Sequence, residues 1–129
     1  VTSSTGLNRN DGTPLSDWAH VEQCEQVIFT TRIGSRVMRR TFGSAVPGIL
    51  GKNLVPSTML KFWTAICAAI DLWEPRTRVT NIDYPRPPNS ASTMAAGQLS
   101  FQVVQNYMPD ALQGDFTVSP VPQTLTFGG

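Results

Sequence analysis

Ser57-Thr58-Met59-Leu60-Lys61-Phe62-Trp63-Thr64-Ala65-Ile66-Cys67-Ala68-Ala69-Ile70-Asp71-Leu72-Trp73, followed by Glu74-Pro75-Arg76, is the stretch that decides how this chain folds. Met59, Phe62, Trp63, Ile66, Ala69, Ile70 and Trp73 recur at helical spacing and form a broad apolar face. Leu60, Ala65, Cys67, Ala68 and Leu72 extend that face nearly all round, leaving Lys61, Thr64 and Asp71 as the polar relief. A helix apolar on most sides is central to its domain or is covered by a partner. Pro75 ends it, because proline disfavours helical geometry at the residue before it. Taken on residues alone, Glu74-Pro75-Arg76 is a helix stop that fixes the backbone between two opposite charges.

Upstream, Val1 to Pro14 is polar, lacks apolar periodicity and reads as a mobile arm. Residues 15–129 are expected to form one domain with an extended C-terminal tail. Ser16 or Asp17 is placed to cap a first helix, whose face carries Trp18, Val21, Cys24, Ile28 and Phe29 and which Gly34 would end. Glu22 and Glu25 on that helix read as solvated. Between the two helices lies Gly34-Ser35-Arg36-Val37-Met38-Arg39-Arg40-Thr41-Phe42-Gly43-Ser44, an ordered basic loop with Val37, Met38 and Phe42 as its anchors. Pro47 to Pro56 continues as a connection pinned by Ile49, Leu50 and Leu54.

Downstream, Arg76 to Tyr84 reads as a strand with room for a bulge, since Val79 and Ile82 fall on opposite faces. Pro85 to Gly97 is a long loop. Leu99, Phe101, Val103 and Tyr107 then alternate with Ser100, Gln102 and Asn106, the pattern of a half-buried strand. Phe116 to Val118 and Thr124 to Phe127 are shorter extended pieces, separated by Pro120 and Pro122. The order predicts an α+β domain, two main helices packed on a small antiparallel sheet.

Composition narrows the function. A net charge of +1 over 129 residues gives no global field for nucleic acid or a membrane surface. The apolar run around Ile66 to Leu72 is too short to span a bilayer, and no tripartite secretion signal opens the chain. Cys24 and Cys67 are too few for a zinc site and read as small apolar side chains. No metal or other cofactor is expected. One histidine, His20, has no catalytic partner in any sequence pattern, and the carboxylates are scattered, so catalysis is not expected. Arg32, Arg36, Arg39 and Arg40 fall within nine residues that hold no acidic side chain. That cluster is either a docking surface for carboxylates or phosphates or a solvated basic loop. A nucleic-acid-binding or regulatory module using Arg32 to Arg40 is the rival reading, with no interleaved aromatic platform in its favour.

Thr31-Arg32-Ile33-Gly34-Ser35-Arg36-Val37-Met38-Arg39-Arg40 with Phe42-Gly43-Ser44, then Trp73-Glu74-Pro75-Arg76 and Gly97-Gln98-Leu99-Ser100-Phe101, resemble in order the family of phage baseplate assembly protein W. Gly6-Leu7-Asn8-Arg9-Asn10 and Asp17-Trp18 resemble its phage branch. The family comprises small wedge or sheath-initiator proteins of contractile tails, with type VI secretion counterparts. The resemblance implies a fold like the sheath protein's interlocking domain, no catalytic role, and a place in the virion tail baseplate after assembly in the host cytoplasm. Its implied partners are the large wedge subunits, the sheath protein and other baseplate or hub proteins. Carried over, Arg36, Arg39, Arg40, Glu74, Pro75 and Arg76 become partner-binding residues. Leu99, Phe101 and Val103 become the edge that accepts a sheath strand.

Overall fold

In the computed structural model, which describes residues 5–49, 51–53, 55–83, 91–96 and 100–127, the apolar helix is α3, Pro56–Trp73. Proline fits its first turn, where an amide would have no partner in the helix. Glu74 caps the far end in an extended conformation, its N–H donating to the Ile70 carbonyl at 2.9 Å. Ile66 and Ile70 are fully buried. α3 packs against α1 (Asp17–Thr30), the short α2 (Val46–Ile49) and the strand β3 (Thr77–Asp83) that follows the Glu-Pro-Arg corner.

β3, β4 (Phe101–Tyr107) and β5 (Gln123–Phe127) form an antiparallel sheet in the order β3-β4-β5. Phe101, Val103, Gln105 and Tyr107 of β4 point inward, and Gln102, Val104 and Asn106 alternate with them. Thr77 faces Tyr107 and Asp83 faces Gln102, with a shift of register between Val79 and Asn81. This is the bulge that the Val79/Ile82 spacing left room for. Thr80 sits within it and donates its hydroxyl to the Val104 carbonyl at 3.0 Å. The core joins Ile28 and Phe29 of α1, Val46, Ile66, Ala69 and Ile70, Phe101 and Val103, and Leu125 of β5. Phe62 and Phe101 meet edge to face at 5.4 Å, and Trp18 meets Tyr107 at 5.7 Å. The expected α+β architecture of two main helices on a small antiparallel sheet is therefore present.

Several local expectations change. Thr5–Leu7 (β1) and Pro14–Ser16 (β2) form an antiparallel hairpin that takes up most of the described part of the segment read as a mobile arm and runs on into Ser16. Its turn is closed by Asn8 N–H to Thr13 O at 2.8 Å and Gly12 N–H to Asn8 O at 2.9 Å, with Gly12 at φ 74. Gln23 of α1 staples it, donating to Leu7 O at 3.0 Å and accepting from Arg9 N–H at 2.9 Å. The attachment is polar, which is why apolar periodicity gave no sign of it. Ser16 occupies the N-cap of α1 without a side-chain cap bond. That helix stops at Thr30 and not at Gly34. Thr30 and Thr31 donate their hydroxyls to the Gln26 and Val27 carbonyls at 2.8 and 2.6 Å, Val27 O also accepts the Thr31 N–H at 3.1 Å, and the backbone turns extended at Thr31. Phe116 to Val118 is not a strand, and Phe116 is exposed. A short helix, α4 (Ala91–Ala95), lies in the predicted loop. Leu50, Leu54 and Leu99 lie outside the described residues.

Candidate functional site

At the end of α3 the chain turns sharply through Glu74, Pro75 and Arg76. Glu74 and Arg76 are only 3% and 4% exposed, and Pro75 between them faces outward. The two charges form a bidentate pair. Arg76 Nε donates to Glu74 Oε1 at 2.6 Å and Nη2 donates to Oε2 at 2.8 Å. The Arg76 backbone N–H reaches Oε1 at 3.3 Å, and Nη1 lies 3.0 Å from Nδ1 of His20. Burial alone would lower the guanidinium, but the hydrogen bonds and charge of Glu74 outweigh it and hold Arg76 more firmly protonated. Burial, then the Arg76 charge, pushes the His20 imidazole down, so His20 is held neutral with Nδ1 as the acceptor. The hairpin closes over this arrangement. A Cβ at Gly6 would run into the His20 ring, so only glycine lets β1 lie this close.

The pair forms one wall of a cavity of about 340 Å³, lined otherwise largely by apolar groups of Cys24, Val27, Ile28, Phe42 and Trp73. Glu74 and Arg76 are thus satisfied by each other within the chain. Their charges set the corner's shape, and what the corner offers to the outside is Pro75 and the cavity.

Glu25 stands behind the corner. It is fully buried, contrary to the solvated reading, because it lies on the inner face of α1 with Val21 and Ile28. Thr77 donates its hydroxyl to Oε1 at 3.0 Å and Gln105 donates Nε2 to Oε2 at 2.9 Å, so one carboxyl ties α1 to β3 and β4. Burial pushes the acid up to about 7, against the hydrogen bonds from Gln105 and Thr77, which lower it. The buried Gln105 Oε1 has no hydrogen-bond partner among the described residues. Sequence reading missed Glu25, His20 and Gln105. The signal available was positional, since Glu25 and Gln105 each occupy an inward register position of their elements.

The basic loop is a separate surface. Arg32, Arg36, Arg39 and Arg40 are all exposed. Arg36 and Arg39 stack on Phe42 at 4.6 and 5.2 Å from the ring centroid, and Phe42 meets Trp73 edge to face at 5.0 Å. Of the three expected anchors only Phe42 packs inward. Val37 and Met38 are 80% and 93% exposed.

The expected strand acceptor needs correction. Phe101 and Val103 belong to β4, which is hydrogen-bonded to β3 on one side and β5 on the other. A strand with both ladders filled has no backbone groups to offer. Among the described residues the open edges are those of β3 and β5. β3 carries a bulge together with Arg78 and Asp83, features that discourage pairing. β5 reads Gln123-Thr124-Leu125-Thr126-Phe127, without a charge or a register shift.

Glu25 and Glu74 are both enclosed, and among the described residues no three His, Cys, Asp or Glu side chains converge as metal ligands. No described helix is long and apolar enough to cross a membrane.

Solved structures share this fold. A chain of the pyocin R2 baseplate in its postcontracted state matches with a TM-score of 0.66 at 23% identity, covering 81% of this chain and 98% of that one. A Geobacter sulfurreducens protein described as a putative tail lysozyme matches with a TM-score of 0.60 at 19% identity, covering 85% of this chain and 86% of its own. In sequence, the chain is 35% identical over 81 residues to baseplate protein W of Escherichia phage P2, covering 63% of this chain and 70% of that protein. The family model described as baseplate wedge protein gp25 matches residues 16–106, from the start of α1 to the end of β4. The apolar helix, the Glu-Pro-Arg corner, the basic loop and the central strand all fall within that match, and the chain belongs to the baseplate wedge protein gp25 family.

Proposed function

We propose that this chain is a structural wedge component of a contractile-tail baseplate that joins the large wedge subunits and starts sheath polymerisation by β-strand exchange. The observation that carries the reading is the sheet itself, three strands wide with an uncharged and unbulged β5 at its edge. Such an edge presents a row of backbone donors and acceptors, and an added strand gains main-chain hydrogen bonds with register set by side-chain alternation. Of the described residues of β5, Leu125 is the one that enters the core. The strand is joined to β4 by an antiparallel ladder from Gln123 to Phe127, the kind of attachment an exchange can replace.

Contacts to the wedge subunits are assigned to two other surfaces. One is the corner, where Pro75 and the cavity bounded by Glu74 and Arg76 receive a partner group, the ion pair holding the wall in place. The other is the loop carrying Arg36, Arg39 and Arg40. Hub proteins and further baseplate components complete the set of partners, the assembly forming in the host cytoplasm before it joins the virion.

The test is a Thr124→Lys/Thr126→Lys double variant. Both side chains are exposed, so the fold is retained, while two lysines on the edge strand oppose strand addition. Baseplates should form and contain the chain but carry no sheath. Sheaths of normal length on these baseplates would refute seeding at β5.

A further inference from the structure

Val37 and Met38 stand side by side at the tip of the basic loop, the most exposed large apolar side chains among the described residues. Their exposure does not come from a loose backbone. Ser44 N–H donates to Thr31 O at 3.0 Å, Gly34 N–H to Arg40 O at 2.8 Å and Phe42 N–H to Arg39 O at 3.2 Å, closing the loop at three levels. Ser35 adds its amide and hydroxyl to the Arg32 carbonyl, at 3.1 and 2.6 Å. The tip is thus held out into solvent by a fixed frame.

Beside it, Arg36 and Arg39 are aligned on the ring of Phe42, and Arg39 also lies 5.8 Å from the centroid of Trp73. None of the four loop arginines is in a salt bridge among the described residues. An apolar tip with oriented, uncompensated guanidinium groups at its base has the composition of an interface centre, where arginine and a few buried apolar side chains contribute most of the affinity. Stacking removes part of the rotamer freedom that the arginines would otherwise lose on binding.

We propose that this loop is a plug: Met38, with Val37, enters an apolar socket on a protein partner whose rim carries carboxylates that meet Arg36 and Arg39. The proposal rests on the reading of the chain as a baseplate wedge component, within which it specifies the chemistry of one contact. The charge of the loop selects an acidic partner, and the planar guanidinium forks match carboxylates in pairs. The tip selects protein over nucleic acid, because a projecting thioether and isopropyl group would hold phosphates away from the arginines. The unbranched, flexible methionine suits a socket of irregular shape.

The experiment produces the full chain together with the other baseplate wedge proteins of its own tail. The amount of chain in purified baseplates is then measured in competition with the wild type. Met38→Glu places a carboxylate among carboxylates and should lower incorporation by about tenfold or more, the loss expected at a buried interface centre. Met38→Leu should stay within about threefold, as volume-conserving apolar changes do. The melting temperature of the isolated chain should be the same for all three. Equal incorporation of Met38→Glu and wild type overturns the plug, and so does a lowered melting temperature of Met38→Glu, which would make Met38 a folding residue. A short DNA duplex bound with steep salt dependence, equally by wild type and Met38→Glu, would overturn it as well and give the loop to phosphate. Wild-type chain absent from baseplates would instead refute the wedge reading itself, a result distinct from loss in the variant alone.

Discussion

Glu25→Gln replaces a fully buried carboxyl by a neutral group of the same shape, at a position joined to both β3 and β4. Folding raises this carboxyl from its ordinary 4.5 to about 7, mainly through burial. The folded value lies above the unfolded one, so the stability linked to Glu25 is fully present below pH 4.5 and is lost as pH rises through 7. The whole difference corresponds to roughly 3 kcal/mol, most of which falls between pH 5 and pH 8. His20 works in the opposite sense. Its depressed value favours the neutral ring, so its contribution is present above 6.5 and is lost as pH falls below that. Comparing the variant with wild type at each pH isolates Glu25 from His20. Urea unfolding at pH 5 and pH 8 is the assay. The wild type should lose about 2–3 kcal/mol more than Glu25→Gln between the two pH values. Parallel pH dependences for the two proteins would refute the reasoning, because Glu25 would then be ionised in the folded chain at no cost.

The corner gives a second stability prediction, since Glu74→Ala leaves Arg76 buried without its partner and should destabilise the isolated chain by about 3–5 kcal/mol, measured by urea unfolding. A variant within about 1 kcal/mol of wild type would mean that the pair is solvated. Gly43 sits at φ 130 with its Cβ position 2.5 Å from the Thr31 carbonyl oxygen, so Gly43→Ala should cost roughly 1–3 kcal/mol or more, the cost of one strained backbone position, and loosen the basic loop in hydrogen exchange. Unchanged exchange at Gly34 and Ser44 would contradict this. The purified chain should leave peptidoglycan intact, and release of soluble fragments that is lost in Glu74→Gln would show a glycan hydrolase instead.

How much of this was legible in the sequence differs by element. α3 and its stop at Pro75 follow from apolar spacing and the stereochemistry of proline, and the β3 bulge follows from Val79 and Ile82 facing opposite ways. The alternation of Phe101 to Tyr107 identified a strand but not its place in the sheet. Whether a strand is central or at an edge depends on which segments pair with it, and the Gln123–Phe127 partner is separated from it by a proline-broken connection. The charges were least legible. Glu74 and Arg76 look like surface groups until the bidentate geometry is seen, and Glu25 looks solvated until Gln105 and Thr77, both distant in sequence, are brought beside it. Val37 and Met38 show the reverse error, as apolar side chains read as loop anchors stand in solvent because the loop's own backbone bonds hold them there.

Cryo-electron density of a sheath-bearing baseplate from the same tail decides whether β5 seeds the sheath. A strand of the first sheath ring should continue the sheet beyond β5, with the chain's corner and basic loop against wedge subunits. A β5 edge that faces solvent or carries no sheath strand in that density would contradict it.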